Sequence, residues 1–151
     1  MNVLFFLTPK SEVAYLQDDW TLRQGIEKLE RSGYTAIPLI DKQGRYIGTV
    51  TEGDILRILK KRYDMNLRLA ENVSILAVER KVDIKPVSVD ATMEDLVRMA
   101  MNQNFVPVID DKKIFIGIVT RKDIIRFCYE RYVDSDSYFS HPRQQTPNAG
   151  R

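Results

Sequence analysis

Apolar and polar positions along the chain follow two rhythms that alternate. Short apolar runs at Val13–Leu16, Ile37–Ile40 and Tyr46–Val50 predict strands. Leu22, Ile26 and Leu29 recur at helical spacing between the first two runs, and a further helix opens at Thr51. Thr21 offers a side-chain oxygen to the free amides of the first helical turn, and Gly33 suits the left-handed residue that ends that helix. The same order then returns. Pro86–Val89 predicts a strand, and Met93, Leu96, Val97 and Ala100 predict a helix after Thr92. Val106–Ile109 and Ile114–Val119 predict two strands joined by a tight turn, and Thr120 opens a closing helix.

The recurrence extends to residue identity. Laid 69 positions apart, Ala36–Tyr63 and Phe105–Tyr132 agree at 12 of 28 positions, including Pro38/Pro107, Gly48/Gly117, Thr51/Thr120 and Asp54/Asp123. The unit is therefore β-α-β-β-α, given twice. One such unit buries little by itself, so the expected architecture is α+β, with the two repeats packed sheet against sheet. The expected divisions are a linker segment at 1–10, repeats at 11–63 and 85–132, and a connecting segment at 64–84. The connection carries Leu67, Leu69, Val73, Ile75, Leu76 and Val78, which predicts a short helix within it. Residues 133–151 are polar and aperiodic and read as a disordered tail.

Composition narrows the function by exclusion. With 23 basic and 21 acidic residues the formal charge is only +2, which gives no support for a nucleic-acid binder. The basic run Arg57, Lys60, Lys61, Arg62, with Arg68 beyond it, reads as a solvated helix face. Cys128 is the single cysteine, so neither an internal disulfide nor a multi-cysteine metal site exists. The single histidine, His141, lies in the tail, and no nucleophile has an adjacent base. No catalytic residue, metal ligand or cofactor site is expected. The apolar run Val3–Leu7 is too short for a signal core or a membrane span, so a cytoplasmic protein is expected.

Two tetrapeptides carry candidate chemistry: Thr51-Glu52-Gly53-Asp54 and Thr120-Arg121-Lys122-Asp123. Each follows a strand and opens a helix. Thr-x-x-Asp there is a capping box, and the same geometry offers free amides, a hydroxyl and a carboxylate to a phosphate or a ribose diol. Arg121 and Lys122 add cations at one start, whereas Glu52 adds an anion at the other. A phosphorylated ligand should therefore prefer the Thr120 site. Upstream of the prolines, small Ala36 leaves room for a planar ring beside Tyr34, where Phe105 in the second copy fills or lines the space.

The twice-given pattern of Pro-hydrophobic-hydrophobic-Asp, then Gly-hydrophobic-hydrophobic-Thr-x-x-Asp-hydrophobic, resembles a tandem pair of CBS (cystathionine β-synthase) domains, a Bateman module, over about Thr8–Tyr132. Leu7-Thr8-Pro9 is similar to the Met-Thr-Pro opening of such modules. The resemblance implies a disc-like pair with two clefts for adenine nucleotides, dimerising through its helices. It implies a main cleft joining Val13, Ala14, Tyr34, Thr35 and Ala36 to Thr120, Arg121, Lys122 and Asp123. It implies a second cleft joining Val87, Asn104, Phe105 and Val106 to Thr51 and Asp54. Gly33–Pro38, with Val13-Ala14 upstream and Thr120-Arg121-Lys122 downstream, resembles stand-alone pairs that bind cyclic di-AMP in Gram-positive bacteria. Asp123 is more typical of AMP, ADP or ATP binders, so both ligand classes stay open. The expected function is non-catalytic regulation through an effector protein. The alternative is a structural dimerisation module in which the boxes only cap helices.

Overall fold

Helix boundaries follow from side-chain caps. Thr21, Thr51 and Thr92 precede α1 (Leu22–Ser32), α2 (Glu52–Arg62) and α3 (Met93–Ala100). Each threonine oxygen accepts the amide three residues on, and the side chain there accepts the threonine amide in return. Gly33 ends α1 in the left-handed region, with φ at 68°. α4 (Arg121–Phe139) opens on Thr120, whose Oγ1 accepts the Asp123 amide at 3.1 Å. The computed structural model describes residues 2–139.

The architecture is α+β, with two mixed sheets and four α-helices among the described residues. In the first sheet, β2 (Leu16–Gln17) runs parallel to β3 (Ala36–Ile40), which pairs antiparallel with β4 (Tyr46–Thr51). In the second, β5 (Val87–Ser88) runs parallel to β6 (Phe105–Ile109), which pairs antiparallel with β7 (Phe115–Thr120). The first strand is shorter than its apolar run suggests, because Val13 closes a 3-10 turn by donating its amide to Lys10 O.

The segments that introduce the repeats are exchanged. β1 (Thr8–Pro9) joins β7 as the fourth strand of the second sheet, and Val3 is wholly buried with Leu96, Val106 and Val108. Residues 3–9, within the 1–10 segment expected to be a linker, thus pack as part of the second repeat. The connection between repeats packs the other way: Ala70, Ile75 and Val78 are buried in the first core beside Leu16, Leu22 and Leu59. Its helix is a single 3-10 turn, Ile75–Ala77. Gly117 is required where the first strap crosses. A Cβ there would collide with the Thr8 carbonyl oxygen, and its φ of 153° disfavours side chains. Its counterpart Gly48 leaves room for Arg80, whose Nε would lie 2.7 Å from an added Cβ.

The sheets meet in a shared core of Val13, Ile40, Phe105, Phe115 and Ile118. Tyr46 and Phe115, equivalent in the two repeats, stack with ring centroids 6.3 Å apart. Around them the Tyr46 amide donates to Lys113 O and the Phe115 amide to Gly44 O, a reciprocal pair marking a pseudo-twofold axis.

The closing helix corrects the tail. α4 continues through Phe139, so residues 133–139 are helical rather than disordered. Polar composition does not end a helix. Breakers do, and no glycine or proline follows Gly117 until Pro142. Residues 140–151, including His141, lie outside the described residues. Among the described residues no helix is long and apolar enough to cross a membrane.

Candidate functional site

Strand register assembles the site. Ala36 lies opposite Thr51 in the first sheet and Phe105 opposite Thr120 in the second, so each sheet brings a pre-proline segment and a helix-opening threonine to one end. Backbone bonds from Glu52 N to Thr35 O (3.0 Å) and from Arg121 N to Asn104 O (2.8 Å) extend the pairing. The two ends meet on the pseudo-twofold axis, where Asn104 Nδ2 donates to Thr35 Oγ1 at 2.9 Å. Thr35 and Asn104 are equivalent positions, 69 residues apart.

A cleft opens on each side of this bridge. The first, about 300 Å³, is lined by Gly33, Tyr34, Thr35, Ala36, Asn104, Phe105, Ile118 and Thr120. The second, about 270 Å³, is lined by Thr35, Ala36, Thr51, Ile84, Asn102, Gln103, Asn104 and Phe105. Four residues serve both, because the axis passes between them. Neither lining contains a charged side chain. Aromatic and aliphatic surface from Tyr34, Phe105 and Ile118, with hydroxyls and an amide at the edge, suits a planar ring with a hydrogen-bonding rim.

Of the residues expected in the main cleft, Tyr34, Thr35, Ala36 and Thr120 line it. Val13 is 6% exposed and belongs to the shared core, and Ala14 packs on the first core. Lys122 is exposed. Asp123 borders a different cavity with Phe6, Thr8 and Glu130, and its Oδ1 lies 3.6 Å from Arg126. Arg121 turns to α3, where its Nε donates to Ala100 O at 2.8 Å and Gln103 O at 3.1 Å.

Of those expected in the second cleft, Thr51, Asn104 and Phe105 line it. Val106 is wholly buried, and Val87 packs against the second core. Asp54 is 3% exposed and both its oxygens are engaged: Oδ2 by the Thr51 amide, Oδ1 by Arg57 and the Lys81 amide. Burial would raise this carboxyl, but those hydrogen bonds outweigh it and hold the pKa below the usual carboxylate range.

Ile84 was missed. Leu16 faces Leu39 and Val87 faces Val108, so the strands before the helices are offset by 71 residues rather than 69. Val13-Ala14 therefore correspond to Ile84-Lys85, and the spacing of Thr21 and Thr92 carried that signal. Tyr46 fixes this wall by donating its hydroxyl to Ile84 O at 2.8 Å. Burial pushes the Tyr46 pKa up to about 12. Among the described residues no cluster of His, Cys, Asp or Glu could hold a metal ion.

The same fold recurs in known proteins. The CBS domain profile matches residues 7–61 and 78–130. Cyclic di-AMP receptor B of Bacillus subtilis (strain 168) is 25% identical over 121 residues, spanning 80% of this chain and 82% of the relative. A crystal structure of CbpB in complex with c-di-AMP superposes with a TM-score of 0.78 at 26% identity, covering 91% of each chain. A structure of CBSX2 in complex with AMP shares the fold at 21% identity and a TM-score of 0.69, over 87% of this chain and 98% of that one.

Proposed function

The chain belongs to the CBS domain family, and from that premise we propose that it binds an adenine nucleotide, cyclic di-AMP or a mononucleotide, in the cleft between Tyr34–Ala36 and Phe105–Thr120. The observation that carries this reading is the uncharged, ring-sized cleft that ends at the start of α4. The base fits between the Tyr34, Ala36 and Ile118 surfaces. A phosphate fits at the Thr120 hydroxyl, where the helix start contributes positive potential. Lys122, exposed in the first turn of α4, adds positive charge to the helix start. The ligand of CbpB, c-di-AMP, supports the dinucleotide, and that of CBSX2, AMP, the mononucleotide.

In this reading the protein is a regulator without catalytic activity, working in the cytoplasm as a homodimer. Nucleotide binding changes its affinity for an effector protein. A ligand does so only through its differential affinity for two states of the chain.

Calorimetric titration with cyclic di-AMP, AMP, ADP and ATP tests the reading. One class should saturate a single high-affinity cleft. Tyr34→Ala should weaken that binding about tenfold, the scale of one lost base–aromatic contact. Thr120→Val should weaken it as well. Absence of binding by every nucleotide would leave the alternative, a structural module whose boxes only cap helices.

A further inference from the structure

The two repeats end their first helices differently. α1 ends on Gly33, in the left-handed conformation. α3 is three residues shorter than α1, and the turn after it runs Met101-Asn102-Gln103-Asn104 without a glycine. Its carbonyls find their donor in Arg121: Nε reaches Ala100 O and Gln103 O at 2.8 and 3.1 Å, and the backbone amide reaches Asn104 O at 2.8 Å. Glu52, the equivalent residue, makes only the backbone bond, because a carboxylate has no proton to donate. One arginine thus substitutes for a missing glycine cap.

Arg121 also stands between two surfaces. It follows Thr120, which lines the nucleotide cleft, and it borders a groove between α3 and α4 with Val97, Ala100, Met101 and Tyr129. We propose that Arg121 is a latch, and the proposal rests on the nucleotide reading of the cleft. Without ligand, the guanidinium holds the end of α3. With a phosphate at Thr120, it exchanges two neutral carbonyl acceptors for an anionic one, whose full charge and fork-matching oxygens favour the planar guanidinium. Release leaves the Ala100 and Gln103 carbonyls without that donor and loosens the last turn of α3. The turn is already imperfect, since Gln103 Nε2 is buried without a partner. Occupancy of the cleft is thereby read out on the α3–α4 face, and Arg121 acts as a positioning residue for that face.

Hydrogen–deuterium exchange of the full chain tests the latch, with cyclic di-AMP and AMP as probes. In the wild type, the binding nucleotide should slow exchange around residues 33–36 and accelerate it about tenfold at 99–104, the scale of one lost charge-assisted bond. Arg121→Ala should show the faster 99–104 exchange without ligand, with no further gain on adding nucleotide. Arg121→Lys keeps the charge but lacks the planar fork. It should restore nucleotide affinity while leaving 99–104 fast, a split that a merely structural role would not give. Protection at 33–36 with unchanged or slower exchange at 99–104 would overturn the latch and leave the nucleotide reading standing. No protection at 33–36 with either probe, or with ADP or ATP in their place, would overturn both.

Discussion

Asp54 and Asp123 occupy equivalent positions and have different surroundings. Asp54 accepts from the Thr51 amide, Arg57 and the Lys81 amide, and so ties α2 to the connection between repeats. Its pKa is held below the usual value, which fixes the sign of its contribution. The stabilisation is fully present above the unfolded-state pKa, near 4, and is lost as pH falls through the lower folded value. Urea denaturation of the wild type should therefore weaken between about pH 5 and 2. Asp54→Asn should flatten that dependence and cost about 1–3 kcal/mol at pH 7, because buried donors lose a charged acceptor. Asp123 is 29% exposed and its nearest cation is 3.6 Å away. Asp123→Asn should stay within about 1 kcal/mol of wild type. Equal losses in the two variants would mean that the buried position of Asp54 carries no special weight.

At the scale of elements, the repeats are held by exchanged straps, and two glycines report on this with opposite signs. Gly117 lies under the Thr8 carbonyl, with φ at 153°. Gly117→Ala must displace the strap or strain the strand, at a cost of about 2 kcal/mol or more. Gly53 lies in the first turn of α2, where an added Cβ would meet atoms only at 3.7 Å and beyond. Gly53→Ala should stabilise by about 0.5–1 kcal/mol through helix propensity. Denaturation midpoints of the two variants should move in opposite directions. The same straps explain what the sequence could reveal. Threonine caps, the Gly33 stop and the strands after each proline depend on neighbouring residues, and local pattern located them. Tyr34, Thr35, Ala36 and Thr120, which the family resemblance implied for the main cleft, line a cavity together. The destinations of Val3 and Thr8, and the place of Ile84 in the second cleft, depend on which sheet each strap joins. The first is set by partners a hundred residues distant, which leave no local trace, and the second by a two-residue offset that shows only in the spacing of Thr21 and Thr92. Arg121 is the intermediate case. Its charge was legible, but the acceptors that claim it appear only once α3 ends beside α4.

The whole molecule departs from its own pseudo-symmetry on one side. In the first repeat, Leu59 of α2 is 7% exposed, in a core that includes Ala70 and Val73 of the connection. Cys128, the equivalent residue of α4, is exposed. Around it Met101 is 71% exposed, Tyr129 and Tyr132 64% each, and Ile125 59%, bordering a groove of about 600 Å³. An apolar face of this kind on a small protein needs a partner. The homodimer reading assigns it a second copy of α4. Antiparallel pairing about Cys128 and Tyr129 would lay the exposed Ile125, Tyr129 and Tyr132 of one copy against those of the other. Sedimentation equilibrium should therefore find a dimer for the wild type and a folded monomer for Tyr129→Glu, because a carboxylate at the centre of the contact has no donor to meet it. The pairing also brings the two Cys128 thiols close, and mild oxidation should trap a covalent dimer in the wild type but not in Cys128→Ser. A wild-type monomer at all attainable concentrations, with the Cys128 thiols unlinked, would leave the α3–α4 face to a different protein.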